Sequence, residues 1–208
     1  VFGGTFDPIH LGHLAAARAA KEALGLDGVL VVVANDPWKK WGREVASAQD
    51  RLAMVEASLK GAGEMVACDI EIERGGTSYT ADTLEELRAF FPDARLFLIV
   101  GADVLAEMET WERSEEIGKL ASVAVVTRPG SSLDAGALRR WSATVVEAAT
   151  PDISSSELRE RILGGDLPDD ALPAGAREVI VRRGLYRNTK QGTLSDGEAV
   201  QGIRPARS

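Results

Sequence analysis

Three short apolar runs, rich in β-branched residues, constrain this chain most: GVLVVVA at 28–34, RLFLIVG at 95–101 and SVAVVT at 122–127. Runs of this length, apolar on consecutive positions, are buried on both faces, as in parallel sheets. Between them lie stretches of helix formers. Leu11 to Leu24 is Ala-rich and stops at Gly25, a residue suited to a left-handed helix cap. A second helix is expected over 48–60 with Ser47 as N-cap, then others over 81–91, 102–107, 114–121, 134–141, 155–164 and 173–183. MVACDIEIE, 65–73, reads as a strand that alternates at its end, and TVVEAA, 144–149, as a last strand. Val1-Phe2 reads as the end of a strand, and a few residues are expected to precede it.

Strands alternating with helices are the pattern of an α/β doubly wound, Rossmann-like fold, with a mainly parallel sheet and helices on both faces. Ligands of such sheets bind beyond the carboxyl ends of the strands. We expect one domain over 1–187 and a polar, disordered tail over 188–208, which lacks periodicity.

Composition narrows the partners. With 24 Lys and Arg against 32 Asp and Glu, the net charge is −8. A broad basic surface for nucleic acid is therefore not expected. One cysteine, Cys68, allows neither an intrachain disulfide framework nor a multi-cysteine metal site. No apolar run is long enough for a membrane span and no signal peptide is visible, so the cytoplasm is the default expectation. Oligomeric state cannot be read from the sequence; a homodimer is compatible with it.

The chemistry concentrates in GGTFDPIHLGH, 3–13, which follows a strand and leads into a helix. Both histidines of the protein, His10 and His13, are here. Gly3 and Gly4 allow close approach of a ligand to backbone. The free N–H groups and dipole of a helix start favour an anion. Histidines three apart can share a face of the first turn and donate to phosphate oxygens. Metal binding is an alternative, but Gly12 between them speaks for phosphate near backbone. Either histidine alone would read as an ordinary residue beside a turn; the Gly-Gly-Thr-Phe-Asp-Pro lead-in changes that. A second anion site is suggested by ISSSELRERI, 153–162, where Ser154 and Glu157 form a candidate capping box and Arg159 adds a guanidinium.

The opening motif resembles the (H/T)xGH signature of the nucleotidyltransferase superfamily, whose relatives include class I aminoacyl-tRNA synthetases. ISSSELR is similar to the superfamily's ISSTxIR segment, with Ser156 in place of Thr and Leu158 in place of Ile. RGGTSYTADTL, 74–84, and GADVLAEMETW, 101–111, resemble segments of bacterial nicotinate-nucleotide adenylyltransferases. NDPWKK, 35–40, resembles their Pro-rich loop in its actinobacterial form, and TRPG at 127–130 and RRGLY at 182–186 match too. The resemblance spans residues 2–187.

It implies transfer of AMP from ATP to nicotinate mononucleotide, giving nicotinate adenine dinucleotide and pyrophosphate. The catalytic residues it implies are His10, His13 and Arg159, with Mg²⁺ carried mainly by the ATP phosphates. Around ATP it places Gly3, Gly4, Thr5, Phe6, Gly12, Gly101, Asp103, Arg128, Ser154 and Ser155. Around the mononucleotide it places Lys40, Thr77, Tyr79, Thr80, Asp103 and Trp111. An indole face suits a pyridinium ring, although Trp111 could equally be core. Asp103 could hold a ribose hydroxyl, act as a helix N-cap, or do both. Lys40 and Arg128 could each be an ordinary exposed cation. Competing readings are an adenylyltransferase for nicotinamide mononucleotide or another phosphorylated acceptor, and a nucleotide sensor without turnover. A tRNA synthetase is disfavoured by the short acidic chain and the lack of a KMSKS-like segment.

Overall fold

The computed structural model describes residues 1–37, 46–128 and 131–187. The expected tail, 188–208, and Lys40 lie outside the described residues.

β1 (Phe2–Gly4), β2 (Val29–Val33) and β3 (Met65–Cys68) pair in parallel, in the order β1-β2-β3. β4 (Phe97–Gly101), β5 (Ser122–Thr127) and β6 (Thr144–Glu147) form a second parallel set in the order β4-β5-β6. The two sets meet where β1 lies beside β4, and Ile99 N–H donates to Val1 O at 2.9 Å across that seam. Laid edge to edge, the strands run 3-2-1-4-5-6, the doubly wound order whose direction reverses between β1 and β4.

The strands are buried on both sides because their alternate residues serve two different cores. Val29, Val31 and Val33 of β2, with Ile99 and Val126, pack against α1 (Leu11–Leu24), α2 (Ala48–Leu59), α8 (Ser155–Leu163) and α9 (Ala174–Arg183). Val32, Leu98, Val100, Val123 and Val125 face the opposite way. They meet α4 (Thr80–Phe90), α5 (Ala102–Glu107), a 3-10 turn at Met108–Thr110, and α6 (Ser114–Leu120). α7 (Ala135–Trp141) flanks the same side through Ala137. This alternation requires the continuous apolar runs of the sequence.

The expected elements form with small shifts at their ends, and Ser47 does cap α2, accepting from Asp50 N–H at 3.0 Å. One expectation is overturned. MVACDIEIE is not a single strand: β3 ends at Cys68, and Ile70–Arg74 forms a short helix, α3. The alternation of Ile70 and Ile72 with glutamates imitates a half-buried strand. In the fold Ile70 and Glu71, adjacent in sequence, are both buried, which a strand facing one core does not allow. Glu71 accepts from the Thr83 hydroxyl at 2.6 Å, a bond that draws the chain over the start of α4.

Candidate active site

A cleft of about 720 Å³ opens where the strand order reverses. The carboxyl ends of four strands border it, at Gly4, Ala34, Gly101 and Thr127.

From β1 the chain passes Thr5 and Phe6 to a cis Asp7–Pro8 bond and enters α1 at His10. His10 is the N-cap, and the two histidines cap each other. His13 N–H donates to His10 Nδ1 at 3.3 Å, and His10 N–H donates to His13 Nδ1 at 3.3 Å. Their rings stack with centroids 3.6 Å apart and planes inclined by 21°. An Nδ1 that accepts carries no proton, so each neutral imidazole bears its hydrogen on Nε2. The pair thus presents two N–H donors of known tautomer at a helix start. His10 is buried, and desolvation pulls its pKa down from 6.5 to about 4, so its ring is neutral at neutral pH. Phe6 meets His13 edge-on at 5.1 Å between centroids, which holds the half-buried ring against rotation.

The glycines serve this arrangement in ways spacing does not reveal. A Cβ on Gly12 would meet His10 Nδ1 at 3.1 Å and the Pro151 carbonyl at 3.2 Å. A side chain on Gly12 would therefore press on the protein's own histidine packing, so the glycine relieves that packing besides leaving backbone open. A Cβ on Gly4 would strike the Phe6 ring at 2.8 Å, whereas one on Gly3 would meet nothing within 4 Å. Neither Gly3 nor Gly4 has a positive φ; at Gly4 it is close approach of the Phe6 ring that excludes a side chain, and nothing among the described residues excludes one at Gly3.

Gly3, Gly4, Thr5, Phe6, His10, Gly12 and His13 all line the cleft. On the β4 side Gly101 and Asp103 line it as well. Gly101, not Asp103, is the N-cap residue of α5; Asp103 sits in the first turn, exposed, with Oδ1 only 2.7 Å from where a Gly101 Cβ would lie. Trp111 is half-buried, lines the cleft and also packs on the core. Arg128 lines it too, exposed and ion-paired with Asp152 at 2.8 Å.

Tyr79 and Thr80 line the cleft at the start of α4. Thr77 does not; it pairs with Asp36 in a parallel bridge. That bridge belongs to a strap in which Asn35 N–H donates to Ser78 Oγ at 2.8 Å and Asn35 Nδ2 donates to Gly76 O at 2.8 Å. Ser78 and Thr83 in turn bond the buried Glu71 carboxylate, another cleft-lining group. Burial pushes the Glu71 pKa up, opposed by those hydroxyls and by the Arg74 charge.

The third segment is placed differently from expectation. Ser154 is the N-cap residue of α8, but its side chain makes no capping bond, so the Ser154–Glu157 box does not form. The hydroxyls are used elsewhere: Ser155 Oγ donates to Pro8 O at 3.1 Å, and Ser156 Oγ accepts from Arg159 Nη2 at 3.3 Å. Arg159 Nη1 donates to Asp7 O at 2.7 Å. Ser155 and Arg159 are thus bonded to the carbonyls of the Asp7–Pro8 turn, and neither they nor Ser154 line the cleft. α8 is docked onto the turn that leads to the histidines.

Two charges in this region are buried: Arg51, which lies outside every motif, and Asp7, which lies inside the opening motif with nothing in its spacing to mark its burial. Arg51 on α2 is 2% exposed and donates to four backbone carbonyls. These are Thr5 O at 2.9 Å, Ala34 O at 2.6 Å, Asn35 O at 3.0 Å and Ala46 O at 2.9 Å. It ties the ends of β1 and β2 to the start of its own helix. Asp7 is 1% exposed, and its Oδ1 accepts from Tyr186 OH at 2.7 Å and Ala46 N–H at 3.1 Å. Only an Arg or Asp that breaks the rule against buried charge could have been sought, and the sequence does not show which do.

Among the described residues no cluster of three or more His, Cys, Asp or Glu could cage a metal ion, and no helix is long and apolar enough to cross a membrane.

Comparison with known proteins agrees with this architecture. The family described as "Cytidylyltransferase-like" matches residues 1–161. A "Probable nicotinate-nucleotide adenylyltransferase" from Streptomyces coelicolor is 43% identical over 185 residues, covering 89% of this chain and 98% of the relative. One of the same description from Frankia casuarinae is 43% identical over 188 residues, with 89% and 98% covered. Among solved structures, the Plasmodium falciparum nicotinic acid mononucleotide adenylyltransferase complexed with NaAD superposes with a TM-score of 0.75 at 17% identity, covering 89% of this chain and 95% of that one. At that identity the likeness speaks for the fold.

Proposed function

Since this chain belongs to the cytidylyltransferase-like family and, within it, to the nicotinate-nucleotide adenylyltransferases, we propose that its cleft joins ATP to nicotinate mononucleotide, releasing pyrophosphate. The observation that carries the reading is the stacked, mutually capped His10–His13 pair at the floor of a cleft at the sheet's reversal point.

The nucleophile is a phosphate oxygen, already anionic at neutral pH. No general base or covalent intermediate is needed, only alignment of two polyanions and stabilisation of the charge that develops at the α-phosphorus. The two Nε2–H groups and the start of α1 provide donors for the triphosphate. His13, nearer the open cleft, faces the α-phosphate; the more buried His10 takes the β/γ side. Because His10 stays neutral, it donates a hydrogen bond without a positive charge that would retain the departing pyrophosphate anion. Arg159, 26% exposed at its side chain, with Ser154 and Ser155, supports the phosphates from α8. Arg128 and Asp103 flank the nucleotide.

Tyr79, Thr80 and the free N–H groups opening α4 form the subsite for the pyridine carboxylate, and Trp111 stacks on the ring. A carboxylate gains more from a helix start than an amide does. Thr77 contributes by holding this segment to Asp36, and Lys40, outside the described residues, is the further phosphate ligand that the family resemblance implies. Among the described residues no cluster would cage a metal ion, so Mg²⁺ would enter with the triphosphate and would supply further charge neutralisation beside the His10 and His13 donors. We assign the catalytic unit to 1–187 and the cytoplasm as its compartment.

Pyrophosphate release from ATP is the test, with the acid and amide mononucleotides compared side by side. Strong preference for the acid is expected. His13→Ala should fold normally and lose about two to three orders of magnitude in kcat, as expected for removal of one preorganised donor. Equal use of both substrates would overturn the role of Tyr79 and Thr80, and a near-normal rate in His13→Ala would overturn that of the histidine.

A further inference from the structure

α9 closes in RRGLY, 182–186, and its tyrosine is half-buried against the core that α2 and α9 share. Tyr186 has a left-handed backbone, with φ 59°. Its hydroxyl donates to Asp7 Oδ1 at 2.7 Å, across 179 positions of sequence. Burial, first, and the Asp7 charge, second, push the phenol's pKa up, so it is a hydrogen-bond donor at any working pH.

Asp7 divides its carboxylate between two tasks. Oδ1 accepts twice, from Tyr186 and from Ala46 N–H. Oδ2 accepts no hydrogen bond and faces Arg159 Nη1 at 3.5 Å, an ion pair too long for a hydrogen bond. The firm bond of Arg159 is to the Asp7 carbonyl, at 2.7 Å. With Oδ1 satisfied, the carboxylate holds the guanidinium loosely; Nη2 also donates to Ser156 Oγ at 3.3 Å, and the remaining N–H groups are left for an anion.

We propose that Tyr186 is a positioning residue for Arg159, acting through Asp7. Remove the phenol hydroxyl and a buried carboxylate loses a strong donor. The nearest replacement is the guanidinium, which closes on Asp7 as a forked pair and is withdrawn from phosphate. The last segment of the domain thereby tunes the grip on ATP without touching it. The inference rests on the reading of Arg159 as a phosphate ligand.

The test compares Tyr186→Phe, Arg159→Lys and the double variant, measuring KM for ATP and for the mononucleotide separately. Tyr186→Phe is expected to raise KM for ATP about five- to tenfold, the size of one ordinary hydrogen bond, with KM for the mononucleotide unchanged. In the Arg159→Lys background the same change should have little further effect. If Arg159→Lys raises KM for ATP and Tyr186→Phe does not, the positioning role is overturned while the reading of Arg159 stands. If Arg159→Lys itself leaves KM for ATP unchanged, that reading fails and the inference with it. Should Tyr186→Phe unfold at assay temperature, direct ATP binding in the cold reads the same contrast. A purely structural tyrosine would weaken folding in both backgrounds and leave ATP affinity of the folded protein unaltered, which also overturns the proposal.

Discussion

His10 shows how one residue can be legible as chemistry and hidden as structure. The motif places two imidazoles at a helix start, and they are there. That each would cap the other, and that a side chain at Gly12 would crowd their stack, depends on distances no spacing rule contains. The burial that makes His10 a neutral donor also gives it a thermodynamic signature. Its folded pKa is about 4 against an ordinary 6.5, so between those values the unfolded chain binds more protons at this site. Stability from this group is complete above about pH 6.5 and is lost as pH falls toward 4. His10→Asn keeps an N-cap acceptor but does not titrate. Its urea midpoint should therefore vary less than the parent's between about pH 5 and pH 7. An unchanged slope would mean that other groups govern acid sensitivity. Asp7, Arg51 and Glu71 are the opposite case. Nothing in their local sequence distinguishes them from solvated charges, yet each is buried and organises the cleft's frame.

At the scale of elements, periodicity reads most of the chain. α1 falls on its expected span, and Ser47 caps α2. The failures are places where a short pattern has two meanings. DIEIER alternates like a strand but turns as α3, because Glu71 has a hydroxyl partner on α4. The Ser154–Glu157 pair satisfies the capping-box spacing, but the neighbouring serines are drawn into tertiary bonds with the Pro8 carbonyl and Arg159. Packing between elements is equally silent in the sequence. Gly175 opens α9, and a Cβ there would lie 2.2 Å from the backbone carbonyl of Ala57 on α2. Backbone cannot rotate away as a side chain can. Gly175→Ala should force the two helices apart and cost about 1–3 kcal/mol, read as a lower melting temperature. The cleft is formed by other elements, so KM values of the folded variant should stay near those of the parent. A melting temperature equal to the parent's would show that α9 can shift freely on α2.

For the whole molecule, the decisive feature is the reversal of strand order. It leaves a crevice between β1 and β4, and the cleft residues come from both sides of it. Arg51 holds that crevice's rim by bonding carbonyls from the ends of β1 and β2 and from the approach to α2. Arg51→Met matches the bulk but leaves these acceptors and Asp7 without their cation. It should destabilise the fold by about 3–5 kcal/mol, as loss of one partner from a buried charged network does. Chemical denaturation would measure this, and a loss below about 1 kcal/mol would assign the rim's stability to the strand ladders instead.

The sequence by itself determined the fold class and the chemistry of the opening motif. Both follow from local patterns: apolar runs that need two covered faces, and donors gathered at one helix start. Its similarity to known adenylyltransferases determined the family. Tertiary structure alone decided which charges are buried, which serines are engaged, and that Tyr186 reaches Asp7 from the far end of the domain. Those outcomes depend on which segments become neighbours after folding, and a buried polar group's partner is set by that proximity, not by its place in the chain.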